Sequence, residues 1–175
     1  MPISQQRLRE AALRVSRTKV MTLSESRARV GARTAFICHS HKDTELVKGL
    51  QVLLIENGFD VYIDWQDSEM PEEPDRETAD RIRAKIKTMS WFLFLATSNS
   101  TTSRWCPWEI GYADGTKENK RIVIIPTTDQ SGKWFGNEYL KLYRQITATQ
   151  LGTLVAVPPG VQVDRGIALS TAIYD

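Results

Sequence analysis

Two apolar runs without alternation, Trp91-Phe92-Leu93-Phe94-Leu95-Ala96 and Ile122-Val123-Ile124-Ile125, restrict the architectures open to this chain more than any other feature. A strand with one wet face alternates apolar and polar residues, whereas a parallel strand covered by helices on both faces does not. Thr34-Ala35-Phe36-Ile37-Cys38 is a third short run. After it, Ser40 to Asp43 offer a capping pair, and Leu46, Val47, Leu50, Leu53 and Leu54 keep helical spacing until Asn57-Gly58 stops them. Phe59, Val61 and Ile63 alternate with Asp60, Tyr62 and Asp64, which predicts an edge or half-covered strand.

A polar loop follows, with Pro71 and Pro74 among Asp67, Glu69, Glu72, Glu73 and Asp75, and it can continue neither element. Ala79, Ile82 and Ile86 then mark a helix over Glu77 to Lys87 with a charged outer face. Leu154 to Val157 is the fifth strand, and Trp134 to Arg144 is read as a shorter helix before it. Five short strands separated by helices predict a flavodoxin-like, doubly wound α/β sheet of mainly parallel strands in the order 2-1-3-4-5, with helices on both faces.

Ser103-Arg104-Trp105-Cys106-Pro107-Trp108-Glu109 lies just after the third strand, at the end of the sheet where open α/β folds bind ligands. A helix from Ser103, with that residue as N-cap and Pro107 in the first turn, puts Trp105, Glu109 and Tyr112 on one stripe. Cys106, Ile110 and Ala113 form a second stripe, suited to the core. Two readings are open for the first stripe. Either it offers an indole, a carboxylate and a phenol to a flat, charged, base-bearing ligand, or the tryptophans widen the apolar face and Glu109 is a solvated helix residue.

Charge divides the chain unevenly. Residues 1–33 hold eight Lys/Arg against two Asp/Glu, a net of +6, while 34–175 hold fifteen against nineteen, a net of −4. The first 33 residues therefore read as a basic appendage, helical or partly disordered, on a domain spanning 34–175. Leu8, Ala11, Ala12 and Val15 at helical spacing among Arg7, Arg9, Arg14 and Arg17 give an amphipathic helix that can dock on the acidic body or on a neighbouring subunit. A transit peptide has the same composition, but no cleavage context accompanies it. A short basic helix without aromatic residues is weak as a nucleic-acid surface. No apolar stretch is long enough for a membrane span. Cys38 and Cys106 read as small core residues in a reducing compartment, and His39 and His41 have no further ligands near them in sequence, so no metal site is expected.

Three segments together resemble the Toll/interleukin receptor (TIR) domain family, in particular short bacterial TIR proteins of the antiphage-signalling type. Thr34 to Asp43 is similar to the family's opening strand and turn, with Cys38-His39 where a small residue and an aromatic are usual. Gly58-Phe59-Asp60-Val61-Tyr62-Ile63-Asp64 resembles the second strand, and Ser103 to Glu109 the Ser-x-Trp-Cys-x-x-Glu motif. The loop after the second strand departs from the pattern in having Pro71 and Pro74 but no glycine.

The resemblance implies a cytoplasmic enzyme that cleaves NAD, its substrate rather than a cofactor, at the nicotinamide–ribose bond, with Glu109 as the catalytic residue. Water as nucleophile gives ADP-ribose, and attack from within the same molecule gives a cyclic isomer, a signal for a separately encoded effector. Trp105 and Tyr112 are then expected at the substrate, and Ser40, His41 and Lys42 near its pyrophosphate, though these three also read as a plain helix cap with exposed charges. Trp65 is expected at the nucleotide or a neighbouring subunit. Asp67, Glu69, Glu72, Glu73 and Asp75 match in position the segment through which TIR domains associate, in an arrangement open to filament growth. Two other classes remain: a non-enzymatic TIR adaptor acting by homotypic association, and a nucleoside deoxyribosyltransferase-like enzyme that also uses a glutamate on a glycosidic bond. A response-regulator receiver is excluded, because Cys38-His39 and Ala96-Thr97 stand where its acidic residues belong.

Overall fold

The structure is a computed structural model that describes residues 1–14, 33–57, 59, 61–64, 75–136 and 138–172. In chain order its strands are β1 (Ile3–Ser4), β2 (Arg33–Cys38), β3 (Val61–Asp64), β4 (Trp91–Ala96), β5 (Ile122–Thr128), β6 (Trp134–Phe135), β7 (Arg144–Ala148), β8 (Leu154–Val157) and β9 (Ile167–Ala168). Its α-helices are α1 (Gln5–Ala12), α2 (Thr44–Glu56), α3 (Arg76–Thr88), α4 (Ser98–Thr101), α5 (Cys106–Asp114) and α6 (Leu169–Ala172). The main sheet runs β3-β2-β4-β5-β7-β8-β9, and its first five members are parallel. That core is the 2-1-3-4-5 order of a flavodoxin-like sheet.

Both apolar runs occupy the centre. Every residue of β4 is buried, and its side chains divide by parity between two cores. Trp91, Leu93 and Leu95 meet α2 residues such as Val47, Leu50 and Leu54 on one face. Phe92, Phe94 and Ala96 meet Ile82 and Ile86 of α3 and Cys106, Ile110 and Ala113 of α5 on the other. The alternating segment is the edge strand β3, which pairs with β2 only among the described residues.

The fifth parallel strand is β7, and Leu154–Val157 is its antiparallel neighbour β8. Only Ile146 and Ala148 of β7 enter the core cluster, so Arg144-Gln145-Ile146-Thr147-Ala148 carries no apolar run to mark it. A tight turn closed by Thr149 N–H to the Thr153 carbonyl (2.9 Å), with Gly152 at φ 84°, forces β8 back along β7. The helix expected over Trp134 to Arg144 is likewise replaced, by β6 and a 3₁₀ turn at Glu138–Leu142. Gly136 breaks the helix there. It sits at φ 114° against Pro126, where a Cβ would come within 2.8 Å of that residue's Cβ.

The start of the chain is part of the same body. β1 pairs in parallel with the end of β5, Ile3 opposite Thr127. Ser4 caps α1 by accepting from Arg7 N–H (3.1 Å), and Leu8 and Ala11 enter the α2 core. Gly49 makes this docking possible, since a Cβ there would lie 1.8 Å from the Leu8 carbonyl oxygen. Burying Leu8 contributes about 2 kcal/mol. Three arginines of this segment are spent inside the molecule: Arg7 donates to the Gly152 carbonyl (2.7 Å), Arg9 lies 3.7 Å from Glu45, and Arg14 pairs with Glu56 at 2.9 Å.

Candidate active site

The site is assembled where β2 and β4 end. Cys38 closes β2, Ala96 closes β4, and α5 crosses beside them on the face of the second core. α5 begins at Cys106 rather than Ser103, but Ser103 still caps it: its hydroxyl accepts from Trp105 N–H (3.1 Å) and Cys106 N–H (3.3 Å). Pro107 falls in the first turn, where no amide is needed.

Packing turns Glu109 to the inner border of the expected stripe. It belongs to the buried face with Cys106, Ile110 and Ala113, and only 4 % of it is exposed. Trp105, Trp108 and Tyr112 are half-buried and pack on the outside of the same core. Trp105 meets Trp108 edge-on, with ring centres 5.5 Å apart. Trp108 stacks on Tyr112 at 6.0 Å, and the Arg83 guanidinium covers both rings from α3. Tyr112 is therefore engaged by Arg83 and by Lys87, whose ammonium lies 6.0 Å from its ring. Trp105 stays within a turn of Glu109, whose N–H donates to the Trp105 carbonyl at 2.8 Å.

Burial pushes the Glu109 carboxyl up to about 7, and a hydrogen bond from the Cys38 thiol offsets part of that shift. The same enclosure pushes the Cys38 thiol well above its usual range, with the Glu109 charge adding to the effect. Cys38 also donates to the Cys106 carbonyl at 3.8 Å. A carboxyl held near neutrality in an apolar pocket is poised to meet a cation, because a positive ligand restores the charged form.

The loop after β2 carries Ser40, His41 and Lys42. Ser40 caps a 3₁₀ turn over His41–Asp43, accepting from Lys42 N–H at 3.4 Å, while His41 and Lys42 are exposed. Asp43, expected as half of a capping pair, makes no side-chain cap bond to α2; it is buried and locks this loop to the one after β4. It accepts from Thr97 Oγ1 (2.5 Å) and from Asn99 Nδ2 (2.7 Å). Ser100 completes a capping box with Thr97 and donates to the Leu95 carbonyl (2.6 Å). His39 Nδ1 donates to the Ile37 carbonyl (3.0 Å), so Nε2 is an acceptor, and it has no partner among the described residues. Burial lowers the affinity of this ring for a proton.

A further residue near the site is the exposed Tyr139, in the 3₁₀ turn whose Leu140 packs in the same core cluster as Cys38 and Cys106. Tyr139 follows Glu138, which holds φ 55°, and its phenol is pushed up by burial with added repulsion from Cys38 and Cys106. Positive φ at a non-glycine residue is the kind of local strain that marks functional loops, but sequence offers no signal for it. Trp65, Asp67, Glu69, Glu72 and Glu73 lie outside the described residues. Asp75 is the exposed N-cap of α3, where it accepts from Thr78 N–H at 2.6 Å.

Comparison with known proteins agrees with this architecture. Over 122 residues the chain is 31 % identical to a protein of Bacillus cereus (strain MSX-D12) named "Probable 3' cyclic ADP-D-ribose synthase ThsB'". The match takes in 69 % of this chain and 62 % of that protein, so the chain spans less than two thirds of its relative's length. No helix among the described residues is long and apolar enough to cross a membrane. Residues 35–151, from the first long strand to the turn after β7, match the TIR domain profile, and the chain belongs to the TIR domain family.

Proposed function

We propose that the protein cleaves NAD at the nicotinamide–ribose bond, giving ADP-ribose or a cyclic ADP-ribose isomer as a signal in bacterial antiphage defence. The observation that carries this reading is Glu109: a buried carboxyl held near pH 7, at the end of the parallel strands, within the family's Ser-x-Trp-Cys-x-x-Glu motif. The name of the Bacillus cereus relative supports the same class of product. A protein acting only by association has no use for such a group.

The chemistry follows from charge. The bond between the ribose anomeric carbon and the nicotinamide nitrogen breaks with its electron pair going to nitrogen, so a cationic ring leaves as a neutral molecule and needs no general acid. Positive charge collects on the ribose. The Glu109 carboxylate, driven to ionise by the approaching cation, stabilises that centre and holds the ribose hydroxyls. Water or a group of the same substrate molecule then bonds to the anomeric carbon and gives up its proton. In this reading Trp105 holds the attacking or departing base, and Ser40, His41 and Lys42 meet the pyrophosphate.

Glu109 is covered in this structure, so substrate entry needs its surroundings to open. We assign that opening to self-association through residues 67–75, the segment that follows the edge strand β3 in sequence. A head-to-tail contact of this kind extends into a filament unless it closes. The diffusible product would act on a separately encoded effector in the cytoplasm. Incubation of the purified chain with NAD, with deoxynucleosides as a parallel substrate set, and identification of products by mass spectrometry tests the reading. Nicotinamide release that disappears in Glu109→Gln is the expected result. Turnover of deoxynucleosides alone would replace it with the deoxyribosyltransferase reading.

A further inference from the structure

The fold brings together two thiols and a carboxyl that are far apart in sequence. The Sγ atoms of Cys38 and Cys106 and a carboxylate oxygen of Glu109 all lie within 4.8 Å of one another, and all three residues are buried. Cys38 is fixed by the end of β2, while Cys106 and Glu109 share a face of α5, three residues apart. Both cysteines are free.

We propose that Cys38, Cys106 and Glu109 bind a thiophilic divalent cation of the zinc class, and that the bound ion withdraws Glu109 from catalysis. Thiolate and carboxylate oxygen are ordinary ligands for this ion, at about 2.3 Å and about 2.0–2.2 Å. Tetrahedral bonds of those lengths put neighbouring ligand atoms about 3.5–3.8 Å apart, so the three groups need to close by about 1.3 Å at most. Rotation about the side-chain torsions of Glu109 and about χ1 of the two cysteines can supply that movement while the strand and helix stay in place. Three ligands leave a fourth position for water or a substrate hydroxyl.

The electrostatics favour a cation over the metal-free charged state. Three buried acids so close together cannot all lose their protons, because each anion raises the cost of the next in a medium from which water is excluded. A divalent ion replaces all three protons and leaves a net charge of −1. Phe94, Ile110 and Ala113 belong to the same apolar cluster and exclude competing water, a setting that suits soft thiolate ligands. A disulfide between the two cysteines is the competing use of the same atoms. It would oxidise both thiols and leave the Glu109 carboxyl unligated.

Cobalt(II) is the probe. The full chain, stripped with chelator and kept in a phosphine reductant, should show a near-ultraviolet thiolate-to-cobalt charge-transfer band that saturates at one equivalent. Cys38→Ala and Cys106→Ala should each weaken cobalt binding by more than about 100-fold, beyond the loss typical of a residue that only orients a ligand. Glu109→Gln, which keeps the side-chain shape, serves where a cysteine variant fails to fold, and it should keep the sulfur band but bind at least about tenfold more weakly. The inhibition arm rests on the NAD-cleavage reading: zinc should suppress nicotinamide release, and chelator but not reductant should restore it. The band is read without any substrate, so absence of NAD cleavage leaves the metal site testable. No charge-transfer band at one equivalent, or a band unchanged in both cysteine variants, overturns the proposal. Restoration by reductant alone overturns the inhibitory role in favour of the disulfide.

Discussion

The Cys38 thiol faces the Glu109 carboxyl across the gap between the end of β2 and the first turn of α5, and each controls the proton on the other. Cys38 lowers the carboxyl by donating to it, and Glu109 raises the thiol by its charge. Cys106 is a second neighbour that raises the Cys38 thiol. Burial sets the charge state of the proposed catalytic residue, and a strand that lies 71 positions earlier in sequence adjusts it.

Glu109→Gln should fold and lose NAD cleavage by about 10²–10³-fold, the cost of removing one preorganised charge-stabilising group. Steady-state nicotinamide release checks this. Wild-type turnover in a folded variant would remove Glu109 from the catalytic role.

The pH dependence has two parts with the same origin. For activity, kcat/KM should rise with pH and level off above about 7, as the free enzyme's carboxylate forms. For stability the sign is opposite. The folded-state value is raised from 4.5 to about 7, so the protein is favoured below 4.5 and loses that contribution as pH climbs through 7. The full shift corresponds to about 3 kcal/mol as an upper figure. Glu109→Gln should therefore raise Tm relative to wild type at pH 8 and leave it nearly unchanged at pH 4. Removing the Cys38 donor by Cys38→Ala should move the activity midpoint upward. A pH-rate profile identical to wild type would show that the thiol does not act on Glu109.

Trp105→Ala should lower stability by about 1–2 kcal/mol, less than the 3–5 kcal/mol typical of a fully buried ring. It should also shift products toward linear ADP-ribose if the indole, one turn from Glu109, holds a base for ring closure as proposed. Thermal unfolding and product chromatography separate the two effects. A lower Tm with an unchanged product ratio would assign Trp105 to packing alone.

Gly49→Ala should detach α1. The added Cβ meets the Leu8 carbonyl oxygen at 1.8 Å, backbone that cannot swing aside as a side-chain end could. Overpacking of this kind costs about 1–3 kcal/mol. Limited proteolysis should then cut within residues 1–14, which the wild type protects through β1 and the Leu8 contact. Unaltered protection would mean that α2 yields instead.

Glu72→Lys with Glu73→Lys should depress specific activity without unfolding the chain, and wild-type specific activity should rise with protein concentration. Sedimentation and a dilution series test both. Constant specific activity from a protein that stays monomeric with NAD bound would defeat the association proposal and leave Glu109 untouched.

How much of this was legible in sequence depended on how local the signal was. The runs Trp91–Ala96 and Ile122–Ile125 announced buried parallel strands because burial on both faces removes alternation, and the edge strand kept its alternation for the opposite reason. The Ser-x-Trp-Cys-x-x-Glu spacing marked the family and the glutamate. Residues 144–148 escaped, since a strand with only Ile146 and Ala148 on the core face carries too little apolar pattern. Glu109 lies at the border of the two stripes at 3.6 residues per turn, so sequence alone did not decide which way it faces. The packing of α5 against the second core turned Glu109 inward, and the Arg83–Trp108–Tyr112 stack fixed the aromatic residues outside.

Local pattern determined the strands β2 to β5, the helices α2 and α3 and the Ser-x-Trp-Cys-x-x-Glu motif, because strand burial, helix period and caps are encoded within a few residues of one another. Only the tertiary structure decided that Cys38, Cys106 and Glu109 share one buried pocket, that Asp43 joins the loops after β2 and β4, and that the basic start of the chain turns its arginines onto Gly152, Glu45 and Glu56. Those relationships depend on which strand ends lie side by side and how far a helix is rotated, and both are settled by long-range packing that no local pattern contains.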